Sequence, residues 1–455
     1  MRLLLVLLIF LSGCQWREVS EALTTRLHFD KELTGTAFAL PAAAEDVDSD
    51  PDTVSVVLRA TAHTLEMFGQ SVEGFAYNGQ VPGPTIYAKR GDRITVEFHN
   101  DLESPSTLHW HGLHVPIDMD GVVWQRDPVM PGESFTYSFV LNQSGTYWYH
   151  PHFDTNRMMD LGLYGAIVIE DPAEPVVDQD LVMVFDSWGE MESREGVMHH
   201  GEVDGKERRW TVNGVERPTL SVPGGDVVRA RIINASNGGF LHLQWPDMDI
   251  ISRDQGLLAA LDTPDSVVLA PGDRVEGIWR VGQSGFNLVT LPYTVLGGNA
   301  RGDSRTLMTV EVVEPSSTAA FPPFVFSGAV SEMDGGPPDV MYVLSGSAFL
   351  GTWVINGETF PDVTVEEVEV NESAVIEVRN LSDSEHPFHL HGYGFEVLSR
   401  NGIPSLWRTI EDTINLRIYD TVRLKIDGNN PGDWMAHCHI LPHQEGGMMT
   451  VLRVH

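Results

Sequence analysis

Residues 78–102 read NGQVPGPTIYAKRGDRITVEFHNDL, and the pattern returns twice: NGVERPTLSVPGGDVVRARIINAS over 213–236 and NGETFPDVTVEEVEVNESAVIEVRNLS over 356–382. Each copy is an Asn-Gly turn, an extended segment, an acidic turn and a strand ending in Asn. The starts lie 135 and 143 residues apart, a domain-sized interval too long for a solenoid unit. Around the repeats, apolar and polar residues alternate in short runs such as Ile94-Val96-Phe98 and Phe135-Tyr137-Phe139, with Gly, Pro and Asn in the gaps. Such alternation marks strands with one buried face. No long stretch has helical period. The expected fold is all-β, three tandem β-sandwiches over 52–172, 173–319 and 320–455, with EVVEPSSTAAFPPF (311–324) as the second linker.

The chain has 455 residues, 42% of them hydrophobic, ample for three cores. Asp and Glu number 64 against 29 Lys and Arg, a net charge of -35. That balance argues against nucleic acid or an anionic membrane surface as a partner and would attract cations; it equally suits a solvated acidic surface. The N-terminus, MRLLLVLLIFLSGC, has one arginine before an apolar run too short to span a bilayer. It reads as a secretory signal over 1–14. LSGC resembles a bacterial lipobox, which would make Cys14 lipidated; the alternative is an ordinary signal peptide that contains a cysteine. Gln15 resembles an outer-membrane sorting residue of Gram-negative bacteria. The expectation is an exported, periplasmic protein that touches the membrane only through its anchor. Residues 15–51 are polar and irregular and read as a poorly ordered tether. Cys14 and Cys438 are the only cysteines. With Cys14 lipidated, Cys438 is either a buried inert thiol or a metal ligand.

The copies differ in histidine. His109 and His111 stand nine and eleven residues after Asn100, and His389 and His391 stand at the same offsets from Asn380. His150 and His152 stand five and seven residues after Gly145, and His437 and His439 at the same offsets from Gly432. The middle copy offers only His242 and Gln244 at about the first place, and Thr290 and Pro292 at the second. Alternate residues of a strand share a face, so each His-x-His projects two imidazoles to one side. One such pair is commonly a surface or core feature. Four at matching places, brought together by two facing domains, would give eight imidazoles, enough for two or three ions. Imidazole suits Cu, Zn, Fe and Ni, so these pairs alone do not name the metal.

The last motif, HCHILPHQEGGMM (437–449), does name it. Cys438 lies between His437 and His439 and points away from both. His443 and Met448 follow, and His386 in HPFHLHG supplies a second imidazole. Two His, one Cys and a weak axial Met form a blue-copper electron-transfer site; Met448 could instead be a core methionine, as could Met449. Electrons entering at Cys438 would reach the cluster along a short covalent path.

HWHG, HPH, HPFHLHG and HCHILPH-x4-M together resemble the motifs of the multicopper oxidases, the laccase and copper-resistance oxidase family, over about 52–455. The resemblance implies cupredoxin-like Greek-key domains and four copper ions. His386, Cys438, His443 and Met448 would bind type-1 copper, and His109 and His389 type-2 copper. His111, His150 and His439 would bind one type-3 ion; His152, His391 and His437 would bind the other. A carboxylate that manages protons is implied at Asp120 in VPIDMDG, which could otherwise be a turn residue before Gly121. Relatives often carry Glu directly after the second type-1 His. Here that residue is Gln444, and Glu445 follows. The implied activity is one-electron oxidation of phenols or aromatic amines, with O2 reduced to water. The alternative is a cuprous or ferrous oxidase. For that reading Met158-Met159-Asp160 and MESREGVMHH (191–200) are candidate metal grips, and Asp383 and Glu385 a candidate acidic mouth. Cuprous oxidases carry an acid four residues before the type-1 His, where this chain has Ser382. Family members that have lost copper show broken motifs, unlike these.

Overall fold

The computed structural model describes residues 36–171, 173–188, 209–294, 303–314, 331, 336–347 and 351–455. The fold is all-β, built as three cupredoxin-like sandwiches of two sheets each. In the first, a sheet of Gln70–Tyr77, Thr53–Met67, Arg93–Asn100 and Ser134–Val140 faces one of Gly83–Lys89, Gly165–Glu170, Gly145–His150 and His109–His111. The second runs from Gln179–Trp188 to Arg305–Val313 and the third from Val340–Ser347 to Met449–Val454. The alternation seen in the sequence sets the faces: Ile94, Val96 and Phe98 are all fully buried. Among the described residues the α-helices are two short turns, Thr155–Asp160 and Leu441–Glu445.

The repeat has a physical cause. Asn78, Asn213 and Asn356 all take positive φ, as do the glycines after them, which builds the same tight turn three times. Each Asn side chain then docks on a neighbouring strand: Oδ1 accepts from the N–H of Arg59, Val184 or Val343, and Nδ2 donates to the carbonyl of Val57, Val182 or Met341. The strand-ending asparagines are buried staples. Asn100, Asn234 and Asn380 each donate through Nδ2 to carbonyls of two other segments, among them Val129, Leu269 and Leu416. The strand after each staple therefore starts from a fixed place. In the first sandwich His109 pairs with His150, and in the third His389 pairs with His437. The corresponding pair in the middle is Leu243 with Thr290.

Part of the expected tether is not loose. Ala37 pairs in parallel with Thr219 and Ala43 with Thr85, so this stretch crosses from the second sandwich to the first. Phe38 packs on the middle core and Ala44 on the first. The small apolar residues of AFALPAAA explain the docking, which a reading by overall polarity missed. Residues 1–35 lie outside the described residues.

A buried ionic cluster joins the first two sandwiches. Thr146 Oγ1 donates to Glu276 Oε1 at 2.6 Å, and Arg231 Nη1 donates to the same carboxylate oxygen at 3.1 Å and to Thr146 at 3.2 Å. Arg229 Nε donates to Glu276 Oε2 at 2.9 Å. Burial opposes ionisation of Glu276, but the two arginines outweigh it and hold the carboxyl at about 2, below its ordinary 4.5. Its stabilisation is thus complete above pH 4.5 and is lost as pH falls towards 2. Glu276→Gln leaves two buried guanidinium groups short of their counter-charge, which should cost about 3–5 kcal/mol. Urea unfolding at pH 7 should show a clearly lower midpoint for the variant, and the gap should narrow at pH 3. Equal midpoints at pH 7 would contradict this account of the interface.

Candidate metal centre

Cys438 ends the strand Gly432–Cys438, which lies between His386–Leu390 and Met449–Val454. The helix Leu441–Glu445 then turns back and carries His443 to the same place. His386 Nδ1 and His443 Nδ1 lie 3.0 Å apart, each 3.5 Å from Cys438 Sγ. All three residues are fully buried, as is Met448, whose carbonyl accepts the Cys438 N–H and whose N–H donates to the His443 carbonyl. Burial pushes the Cys438 thiol far above its ordinary range. A bound cation would reverse that penalty. Ser382 Oγ lies 2.7 Å from His386 Nε2 and donates to Asn380 Oδ1, so the ring carries its proton on Nε2 and turns a bare Nδ1 towards the sulfur. Trp353 stacks on His443 with ring centres 3.8 Å apart.

On the opposite face of the strand, His437 meets a cluster of eight buried imidazoles. His109 stacks on His391 at 4.0 Å and His111 on His389 at 3.8 Å, so each pair spans the first and third sandwiches. His152, His391 and His437 converge, with His391 Nε2 and His437 Nε2 2.9 Å apart. His109 groups both with His389 and His391 and with His111 and His150. His439 stands beside these, its ring 4.9 Å from that of His111 and 5.7 Å from that of His150. Burial first, then the neighbouring imidazoles, push His111, His150, His152, His389 and His391 well below the ordinary histidine range. Burial also takes His439 well below that range and His437 down to about 4. Neutral rings are what a metal requires.

Two aspartates set the tautomers. His109 Nδ1 donates to the Asp120 carbonyl at 2.9 Å, while His391 Nδ1 lies 2.9 Å from Asp120 Oδ2. On the other side His389 Nδ1 donates to the Asp412 carbonyl at 2.8 Å, while His111 Nε2 lies 3.2 Å from Asp412 Oδ1 and 3.1 Å from Thr413 Oγ1. Each aspartate thus serves one histidine of its own sandwich and one of the facing sandwich. The opposite nitrogens are left over: His109 Nε2, His150 Nε2, His389 Nε2, His111 Nδ1 and both nitrogens of His439 are buried with no hydrogen-bond partner among the described residues. A buried polar atom without a partner costs about 1–3 kcal/mol, so so many together mark a place built for a ligand. Imidazoles here, with a thiol and two further imidazoles next door, fit copper.

Asp120 lies at the end of a short turn, Ile117–Met119, and its backbone is held because a Cβ at Gly121 would fall 1.9 Å from the Leu108 carbonyl oxygen. Glu445 is elsewhere. It stands at the exposed rim of an apolar cavity of about 150 Å³, lined also by Trp124, Phe153, Phe360 and Met449, with His152 and Gln444 among its walls. Its Oε1 accepts the Asn156 N–H at 3.0 Å. Asp412 went unseen in the sequence reading, as did Thr413, Trp353 and the groups that hold Asp412: Arg274 at 2.6 Å to each oxygen and Gln255 at 3.0 Å. The sole signal was an acid, Asp412, beside the strand Thr413–Leu416. Met158 and Met159 are fully buried in two separate cores and offer no metal grip at the surface. Residues 191–200 lie outside the described residues.

Comparison with known proteins agrees with this geometry. Family profiles described as Multicopper oxidase match residues 59–174 and 332–455, together more than half of the chain. The multicopper oxidase MmcO of Mycobacterium tuberculosis is 27% identical over 92% of this chain and 90% of its own. A laccase of Phlebia radiata is 27% identical over 84% of this chain and 86% of its own. The solved structure of a Campylobacter jejuni multicopper oxidase, described as a metallo-oxidase, superposes with a TM-score of 0.81 at 24% identity over 95% of this chain and 98% of that one, a likeness of fold. With its imidazole cluster and thiol site in this arrangement, the chain belongs to the multicopper oxidase family, whose members are copper-dependent oxidoreductases that use O2.

Proposed function

We propose that this enzyme is laccase-like: it takes single electrons from phenols or aromatic amines near Cys438 and passes four to O2 at the imidazole cluster. The run His437-Cys438-His439 carries this reading, because three consecutive residues serve both places. In it, His386, Cys438, His443 and Met448 hold one copper ion, and His109 and His389 a second. His111, His150 and His439 hold a third, and His152, His391 and His437 a fourth. Copper so held supplies one-electron oxidation at the first place and reduction of O2 to water at the second. The chain keeps the rings neutral, fixes their tautomers and excludes bulk water. The apolar cavity beside His152 suits entry of O2, and Glu445 at its rim suits proton supply from that side. Asp120 is the proton-managing carboxylate of the other side: its Oδ2 lies 2.9 Å from His391 Nδ1 and its Oδ1 3.2 Å from His109 Nδ1, so it touches two rings of the cluster.

Two features favour an organic donor. Ser382 spends its hydroxyl on Asn380 and His386 and is 3% exposed, so it offers an incoming ion nothing. Met158 and Met159 are buried in the core. The second reading, a cuprous or ferrous oxidase, draws on Glu385, next to His386, whose Oε2 accepts from Tyr293 and Asn415, and on the metallo-oxidase among the similar structures. From the leader alone we also propose that the protein is exported to the periplasm and anchored through Cys14 to the outer membrane of a Gram-negative bacterium. No helix among the described residues is long and apolar enough to cross a membrane.

Copper-loaded protein should be blue, Cys438→Ser colourless, and O2 uptake should consume one O2 per four phenol-derived electrons. Under air a phenol should be oxidised faster than Cu(I) or Fe(II); the reverse order would select the metal oxidase, and a colourless native protein would sink both. Asp120→Asn should slow O2 reduction about 10²-fold, while bleaching of the blue form by a phenol without O2 keeps its rate. Equal loss in both half-reactions would count against a proton role. Mass spectrometry of protein from membranes should find Cys14 N-terminal and lipidated; a mature chain cleaved elsewhere would remove the anchor.

A further inference from the structure

The middle sandwich carries none of the proposed ligands, yet it touches the cluster. Gly272 takes φ +95°, and a Cβ there would stand 3.0 Å from His439 Cγ and 3.2 Å from His111 Cε1, so glycine suits this turn against the rings. Two residues on, the buried Arg274 reaches all three sandwiches. Its backbone begins the strand Arg274–Arg280, its Nε donates to the Thr146 carbonyl at 3.1 Å in the first sandwich, and Nη1 and Nη2 grip Asp412 of the third. Asp254, also of the middle sandwich, ties the backbones: Oδ1 accepts the Arg274 N–H, and Oδ2 accepts those of Asp412 and Thr413. Gln255 Nε2 donates to Asp412 Oδ2 and to the Gly112 carbonyl, next to His111.

Asp412 and Asp120 make matching contacts to the histidines, but only one is clamped. Both Asp412 oxygens are held by the guanidinium fork, while Asp120 Oδ1 has no such partner among the described residues. We propose that Arg274, helped by Gln255, is a positioning residue of the imidazole cluster: it fixes the Asp412 carboxylate so that His111 turns Nδ1 towards the metal, while the Asp412 carbonyl holds His389. This rests on the reading of those rings as copper ligands. Arginine suits the task because its planar fork sets both the position and the rotation of a carboxylate; lysine supplies the charge without the second constraint. The ligand-free sandwich thereby becomes part of the metal site.

The test compares native protein, Arg274→Lys and Arg274→Met, each loaded with copper. Copper per chain, the blue absorbance, the electron paramagnetic resonance of the non-blue copper and melting of the metal-free protein are recorded. Both variants should keep the blue absorbance; Arg274→Met, which leaves the buried Asp412 and Asp254 without their counter-charge, should melt lower than Arg274→Lys, which keeps it. Their non-blue copper should be lost to a chelator about 10–100-fold more readily, with an altered resonance signal. Should Arg274→Met fail to fold, Arg274→Lys alone decides. Unchanged non-blue copper and resonance in the folded variants would overturn the proposal. So would loss of blue and non-blue copper in equal proportion with the melting temperature, the mark of general packing. If the native protein binds copper only at the blue site, the ligand reading itself falls, and this inference with it.

Discussion

A strand offers its side chains to two sides in turn, and at the end of Gly432–Cys438, continued into the bend at His439, this chain uses that constraint to join two candidate metal environments. Cys438 faces the nest made by His386 and His443, so His437 and His439 face the other way, towards the first sandwich. That sandwich meets them with a strand pair at the same place in the repeat, which is why His109 stacks on His391 and His111 on His389. Shifting the strand by one residue would turn Cys438 into the cluster and both histidines out of it. The staples at Asn100 and Asn380, and the pairing of His389 with His437, hold that register.

Eight buried imidazoles would be costly to assemble unless each ring had a fixed donor. The fold holds half of the rings from its own backbone: the carbonyls of Asp120, Pro151, Asp412 and Cys438 accept from His109, His150, His389 and His437. Carboxylates of Asp120 and Asp412 serve His391 and His111. The two aspartates stand in near two-fold relation across the cluster, and their difference is informative. Asp412 is locked by the Arg274 fork, as a support should be; Asp120 faces the rings of His109 and His391 with no such fork among the described residues, as suits a group that exchanges protons.

The sequence made the sandwiches legible through alternation and the Asn-Gly repeat, since both are local. It made the histidines legible because His109 and His389, and His150 and His437, keep the same offsets from their staples and glycines. Asp120 was legible through its distance from HWHG. Its counterpart Asp412 was not, because a hairpin and loop over 399–411 lengthen the third copy and move the acid from eleven residues after the first histidine to twenty-three. Arg274 was hidden for another reason: it lies in the copy without ligands, and its importance arises only when three sandwiches meet. The docking of 36–51 was missed because composition reports polarity, not which short apolar residues meet an open strand edge.

The most direct test of the whole account is anomalous diffraction at the copper edge from crystals of the copper-loaded protein. The account predicts four peaks. One would lie between Cys438 Sγ and the Nδ1 atoms of His386 and His443, and three among the eight imidazoles, with His111 bound through Nδ1 and His389 through Nε2. A single peak at Cys438 with the imidazoles empty, or none at all, would contradict it.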